Sequence, residues 1–407
     1  MNAGDTAFLL LSAALIFIMI PGTSLFYGGL GSRKNLINNM MSCIVAIGIG
    51  AIVWLLVGYS ASFGESICGI FGKINFDLFK NGFTLATSKY STTVPNAAFV
   101  VFQMMFALLT PALIVGAIEG RMKFKSLSIF LILWSIIVYY PLVHMSWAQG
   151  GLFGPTIVGA VDFAGGNVIH VSSGITGLVL ATLLGKRKSN DLVPCHNVPF
   201  VLIGTALLWF GWFGFSAGSI FQGFPIASHA FLATIISSSS AFLTWVLIDI
   251  ARKKRAKLVS GCVGAIVGLV AITPAAGFVP IWSALIIGAI ASLLSYFTVN
   301  LIKMRFCIDD AMDVFACHGV GGIWGGIATG IFADTTINPN VKPGLIFGEF
   351  NQLLSQLTAI SITIIFTLAG TLVCAYLIGI FLKLRISEQE ELDGLDLSQH
   401  EEEAYCS

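Results

Sequence analysis

Two histidines carry the clearest chemistry in this sequence. From His170 the chain reads HVSSGITG and from His318 it reads HGVGGIWGG, so each imidazole has glycines at i+4 and i+7: Gly174 and Gly177, then Gly322 and Gly325. On a helix those positions share a face with the ring, and small residues there let a second backbone approach closely. Both histidines lie in apolar runs, where an ionisable side chain is costly and characteristically lines a pathway or a proton relay. A neutral imidazole has one donor and one acceptor nitrogen and can hand hydrogen bonds or protons along a file. The plainer alternative is a buried ring satisfied by a neighbouring hydroxyl or carbonyl. His144, His196, His229 and His400 lie near or beyond the ends of apolar runs and read as structural. Ser172 and Ser173 stand close to His170, but spacings of i+2 and i+3 do not by themselves orient a nucleophile and a base. An intramembrane hydrolase is therefore disfavoured, and no enzymatic activity is expected. The eight cysteines are scattered without metal-ligand spacing, and only Cys68 falls in an outer loop. Neither a metal, a cofactor nor an outer disulfide is expected.

The elements that must hold these histidines follow from composition. Of 407 residues 56% are hydrophobic and only 10% charged, with a mean hydropathy of +0.90. That excludes a soluble protein. Eleven apolar runs approach the length of about 20 residues that a membrane span needs, the first from Thr6 to Leu30 and the last from Phe350 to Leu384. The eighth, Leu258 to Ala271, and the tenth, Asp313 to Phe332, are the weakest in length or glycine content. The loops after odd-numbered runs and the segment after the eleventh hold all Lys and Arg except Lys73, Lys80, Lys89 and Lys342. Because Lys and Arg accumulate on the cytoplasmic side, this alternation predicts eleven spans with the N-terminus outside and the C-terminus inside. The leading residues MNAGDTA carry no Lys or Arg, and the first apolar run is too long for a signal peptide. It reads as a retained span. The fold class is thus an all-α membrane protein. His170 falls in span 5 and His318 in span 10, so spans 1–5 and 6–10 form inverted repeats with the functional site between them, plus a long eleventh helix.

That topology also assigns depth to the aromatic residues. Phe102 and Phe106 in span 3, Trp147 at the end of span 4, and Trp212, Phe215 and Ser219 in span 6 all fall near the outer side, above His170. An interfacial aromatic belt would have the same composition. A cluster of ring faces with one hydroxyl would also suit a small cation, since rings attract the charge and the hydroxyl accepts its hydrogen bond.

Several segments in order carry a family resemblance: PGTSLFYGGL in span 1, DFAGGNVIHVSSG from Asp162, GWFGFSAGS from Gly211, DDAMDVFACHGVGG from Asp309, and GLDLSQHEEEAY from Gly394 to Tyr405. Together they resemble the ammonium transporter (Amt/Mep/Rh) family, in its bacterial and archaeal Amt branch. The resemblance implies a homotrimer in the cell membrane, each subunit with its own hydrophobic pore. It implies an outer ammonium recruitment site at Phe106, Trp147 and Ser219 with Phe102 nearby, a stacked pair at Phe106 and Phe215, and a hydrogen-bonded pore pair at His170 and His318. Asp162 would support the outer region, with Gln103, Trp212, Thr273 and Asp313 in lesser roles. Residues 1–385 would form the transporter domain and 386–407 a cytoplasmic acidic tail, with Gly394, Leu395, Asp396, His400 and Tyr405 matching the family's regulatory tail. Eight acids and no Lys or Arg lie between Ser387 and Ser407. The resemblance implies an ordered tail against the cytoplasmic face, with the basic cluster Arg252 to Lys257 as its candidate surface. It also implies a PII-type signal protein that plugs the inner pore mouth in prokaryotic relatives and requires this tail. The basic cluster reads equally as a topology signal in contact with anionic lipid. Ammonium or ammonia is the implied substrate, with methylammonium as a candidate analogue, and the near-neutral net charge gives no reason to expect nucleic acid. An ammonium sensor of the same fold with little transport is the alternative. Three residues depart from the family pattern: Ser216 for a usual Asn, Glu119 one position early, and Glu401 for a usual Gly.

Overall fold

The computed structural model describes residues 1–81, 86–188, 195–222 and 225–405. Eleven apolar helices dominate the described residues: α1 Ala3–Leu30, α2 Arg33–Phe63, α3 Asn96–Ile118, α4 Phe124–Trp147, α5 Gly166–Leu184, α6 Val198–Gly218, α7 Ile226–Lys253, α8 Leu258–Ile272, α9 Ile281–Arg305, α10 Phe315–Phe332 and α11 Phe350–Phe381. All but α8 have the length and hydropathy of a membrane span. With 15 residues, α8 covers only about 22 Å at 1.5 Å per residue, and buried turns through Phe278 extend it. The weak eighth run of the sequence is therefore a short helix completed by irregular backbone that protein shields from lipid, as a bilayer requires.

Local chemistry starts these helices where polar residues meet the apolar runs. The Asn2 side chain accepts from Asp5 N–H at the head of α1, and the Asn197 side chain accepts from Phe200 N–H at the head of α6, with Pro199 in its first turn. Both arrangements satisfy donors that a helix start leaves unpaired. Between α2 and α3, two short antiparallel hairpins, Ser66–Ile67 with Phe71–Gly72 and Thr87–Ser88 with Ser91–Pro95, cover one end of the bundle. This is the outer end in the orientation that the Lys and Arg distribution predicts.

Two pairs of helices approach each other closely. At the α1–α6 crossing, a Cβ on Gly204 would lie 2.4 Å from Phe26 N and 2.7 Å from Gly22 O. The backbones touch there without intervening side chains, the contact small residues permit in lipid. The second pair is α5 with α10, which carries the histidines.

Past α11 the chain stays on the protein. Lys123 N–H donates to Leu384 O and Ile386 N–H to Arg121 O, leading into α12 Glu388–Asp393 and α13 Leu395–His400. A reciprocal Ser387–Glu390 capping box starts α12. The tail does not rest on Arg252–Lys257 as the sequence suggested. Lys34 Nζ donates to the carbonyls of Glu391 and Leu392, Arg385 Nη2 reaches Glu391 Oε2 at 2.8 Å, and Lys123 lies 3.8 Å from Glu390. Asn38 N–H donates to Asp396 Oδ1, Leu395 N–H to Asn35 Oδ1, and His400 Nε2 pairs with Asn38 Oδ1. Tyr405 Oη contacts His196 Nε2 and Asn197 Nδ2, and Arg33 lies over its ring. The physical reason is reach. The short connection from Phe381 to Glu388 hands the tail to the loop ends of α2, α4 and α5, whose cations and asparagine side chains supply its partners.

Candidate functional site

The site begins with two carboxylates. Both oxygens of Asp162 accept from backbone at the head of α5, from Gly165, Gly166, Asn167 and Val168 N–H at 2.6–3.3 Å. Asp310 does the same for α10, accepting from Val314 and Phe315 N–H at 3.0 and 2.7 Å. An anionic cap there satisfies otherwise unpaired donors and complements the helix dipole. Each helix then opens with a π-helical turn, Gly166–Val171 and Phe315–Val320, and each turn contains the histidine. Such turns recur at functional sites because they displace one residue from the regular α-helical face.

Glycine brings the two turns together. A Cβ on Gly174 would sit 2.2 Å from Gly319 N, and one on Gly322 would sit 2.9 Å from Gly166 O and 3.1 Å from the His170 Cβ. The i+4 glycine of each helix thus admits the backbone that carries the other histidine. His170 Nδ1 and His318 Nδ1 lie 3.2 Å apart, with ring planes 19° from parallel, and both residues are buried. One Nδ1 must donate and the other accept, so the neutral pair holds opposite tautomers. His170 Nε2 has no protein partner.

Aromatic rings continue from His170 toward the outer end. Trp212 stacks on its imidazole with centroids 5.3 Å apart, and Trp212 Nε1–H donates to Thr273 Oγ1 at 3.0 Å. Phe215 lies 6.1 Å from the same imidazole and meets Phe106 edge to face at 4.6 Å. Beyond Phe106 opens a cavity of about 260 Å³, whose wall includes Gln103, Phe106, Trp147, Asp162 and Ser219. Trp147 Nε1–H donates to Asp162 O, and Ser219 Oγ–H donates to Phe215 O at 2.9 Å. Phe102 is not in that wall. It is buried against Phe106 at 5.0 Å and Phe221 at 5.8 Å, and the cavity face of α3 is Phe99, Gln103 and Phe106, spaced i, i+4, i+7.

On the inner side of His318, a narrow space is lined by Phe26, Tyr27, Leu113, Leu208 and Ile266. Near the inner end a wider cavity of about 300 Å³ includes Asp313 in its wall. Asp313 pairs with Lys303 at 2.7 Å. Arg187 grips Asp309 through Nε and Nη2 at 2.9 and 2.8 Å. Its Nη1 reaches Glu119 Oε2 at 3.1 Å.

Ser172 and Ser173 donate to backbone carbonyls one turn back, so neither forms a nucleophile–base pair with His170. His144 is held by Ser62 O and Ser66 Oγ. Among the family departures, Glu119 Oε1 accepts from Asn35 Nδ2 and Ser32 N–H. Ser216 is buried with its hydroxyl unpartnered. Glu401 has φ +55°, a left-handed conformation that explains why glycine is usual there. Reasoning from the sequence singled out Asp313 and missed Asp310, although Asp162–His170 and Asp310–His318 share a spacing of eight. It also missed Tyr90, Phe99, Phe221 and Asn338 of the outer cavity; Phe99 shares the α3 face of Gln103 and Phe106, and Phe221 follows Ser219 by two residues, whereas Tyr90 and Asn338 come from other connecting segments.

A helical membrane protein with a buried histidine pair along a line of aromatic residues, between an outer cavity and an inner one, is a small-molecule transport protein. Residues 7–405 match the family model for the Ammonium Transporter Family, and the chain belongs to that family. It is 42% identical over 405 residues to an ammonium transporter of Bacillus subtilis, covering 100% of this chain and 99% of that one. It is 40% identical to the ammonium transporter Amt1 of Archaeoglobus fulgidus, covering 100% of both chains. Among solved structures, Mep2 of Saccharomyces cerevisiae superposes with a TM-score of 0.87 at 34% identity, covering 95% of this chain and 88% of that one. A protein described as a sensor Amt protein shares the fold at a TM-score of 0.87 and 28% identity, covering 98% of both. The chain is a multi-pass ammonium transporter, and the transporter names of its curated relatives do not favour the sensor alternative.

Proposed function

We propose that ammonium binds in the outer cavity, loses a proton before the Phe106–Phe215 contact, and crosses as ammonia past His170 and His318. The observation that carries this reading is the 3.2 Å Nδ1–Nδ1 contact directly behind the aromatic contact at 4.6 Å. Ammonium and potassium have similar size and charge, so a charged hole would pass both. A dry aromatic constriction penalises either bare ion heavily, but only ammonium can shed a proton and continue as a neutral species. The ring faces of Phe106 and Trp147 favour the cation on arrival, and Ser219 Oγ keeps its lone pairs for it, because its proton is committed to Phe215 O. Behind the constriction, the free His170 Nε2 offers ammonia a hydrogen-bond partner. The released proton either follows through the imidazoles, giving a current, or stays outside, giving none.

In the same reading the N-terminus lies outside and the C-terminus inside, as the Lys and Arg distribution supports. Three subunits associate, and residues 386–407 form a cytoplasmic regulatory segment that meets a PII-type protein, both on the family resemblance. Solid-supported-membrane recordings on purified protein in liposomes test the transport step. An ammonium jump evokes a current or internal alkalinisation that an equal potassium jump does not. Equal responses to both ions would contradict the deprotonation step.

A further inference from the structure

We propose that Arg187 is a positioning residue for His318, holding the strained segment that aims α10 at the pore. This rests on the proposed histidine pathway and names what fixes its inner half. Arg187 lies just past the inner end of α5 and belongs to neither cavity wall, so any effect on transport must pass through other residues.

The grip falls three times on one carboxylate. Arg187 N–H and Nε–H both donate to Asp309 Oδ2 at 2.9 Å, and Nη2 donates to Oδ1 at 2.8 Å. Such a fork fixes direction as well as distance, which a lysine ammonium cannot do. The remaining nitrogen, Nη1, binds Glu119 just past α3. Buried Arg121 closes the arrangement, donating to Gly185 O at 2.7 Å and lying 3.8 Å from Asp309. The inner ends of α3 and α5 are thereby tied to the residue that precedes the Asp310 cap of α10.

The segment they hold would not keep its shape unaided. Between the end of α9 and the start of α10, Cys307 has φ +55° and Asp313 has φ +59°. Left-handed backbone is disfavoured for residues with a Cβ and persists where surrounding contacts over-determine it. Met312 N–H donates to Gly116 O at 3.1 Å, so α3 also holds the segment directly. Val314 passes any shift onward, because it is wedged between glycines of α3 and α5. A Cβ on Gly116 would lie 2.9 Å from Val314 Cγ2, and one on Gly177 would lie 3.1 Å from its Cγ1. The π-turn Phe315–Val320, with His318, begins at the next residue. Loss of the fork frees Asp309, lets the left-handed residues relax, and moves His318 relative to His170.

The test replaces Arg187 by glutamine, which removes fork and charge, and by lysine, which keeps only the charge. Each is also combined with Cys307→Gly, since glycine adopts the left-handed conformation at no steric cost and Cys307 is an exposed residue outside both cavity walls. Ammonium-evoked currents or pH changes in proteoliposomes are recorded across a concentration series. For Arg187→Gln the maximal response should fall about ten-fold, with half-saturation within about two-fold of the unaltered protein. Arg187→Lys should lose about three-fold. Cys307→Gly alone should be silent, and added to either variant it should restore most of the lost response, which a residue that merely stabilises the fold would not show. Should Arg187→Gln fail to assemble, Arg187→Lys with and without Cys307→Gly decides. A full maximal response in Arg187→Gln, a half-saturation shifted as far as the maximum, or no recovery on adding Cys307→Gly overturns the assignment. An unaltered protein without an ammonium response, or one indifferent to His318→Ala, would instead overturn the histidine pathway, so the two failures are distinct.

Discussion

Replacing Gly174 by alanine should separate the two histidines without touching either. The added Cβ would lie 2.2 Å from Gly319 N and 2.4 Å from Gly319 Cα, both backbone atoms, whereas ordinary contact begins at 3.4 Å. The α5 and α10 backbones must therefore move apart by roughly 1 Å locally, and overpacking of this kind typically costs about 1–3 kcal/mol. Transmitted to the rings, that displacement stretches the 3.2 Å Nδ1–Nδ1 contact past about 4 Å, beyond hydrogen-bonding distance. The maximal ammonium response in proteoliposomes should fall about ten-fold, while half-saturation, set in the outer cavity, stays near its original value. Gly322→Ala should be milder, because its Cβ meets Gly166 O at 2.9 Å and the His170 Cβ at 3.1 Å. Gly379→Ala, with nothing within 4 Å, is the control and should transport normally. A Gly174→Ala protein with full maximal response, or one no worse than Gly379→Ala, would refute the idea that close helix approach sets the histidine pair.

Other consequences concern the inner face and the tail. Glu401 holds φ +55° at the end of α13; Glu401→Gly should relieve about 1 kcal/mol of left-handed strain and slow hydrogen exchange in Leu395–His400 roughly five-fold, and unchanged or faster exchange would count against that strain. Burial, with Asp313 nearby, raises the Asp310 carboxyl to about 6. A carboxyl raised above its unfolded value near 4 contributes stability that is fully present below that value and is lost as pH rises through about 6. Melting of the detergent-solubilised protein should therefore show the unaltered chain gaining stability relative to Asp310→Asn as pH falls from 7 to 4, and parallel curves would contradict this.

The membrane architecture was legible in the sequence because two independent signals, apolar run length and the partition of Lys and Arg, agree on eleven spans. The histidine pair was legible for a local reason: glycine at i+4 marks where a second backbone must come close, and Gly174 and Gly322 do that here. The short α8 showed as a weak run, since helix length is itself a sequence property. What stayed hidden depends on three-dimensional assembly. The outer cavity draws Tyr90, Phe221 and Asn338 from connecting segments, and no periodicity links them to the α3 face of Phe99, Gln103 and Phe106. The tail's position was misread because several basic loops offered similar charge; the choice fell to hydrogen bonds with Asn35 and Asn38, which net charge does not register. Asp310 was within reach, since its spacing to His318 repeats that of Asp162 to His170, but Asp313 has the same chemistry three residues closer.

The most direct measurement is the ammonium response of purified protein in liposomes with His170→Ala and His318→Ala, singly and together, each compared with potassium. If the imidazole pair carries ammonia and discriminates it, both single variants lose most of the ammonium flux or lose its selectivity over potassium, and the double variant is little worse than the more impaired single one. Unchanged flux with unchanged selectivity in His170→Ala would contradict the role assigned to the pair.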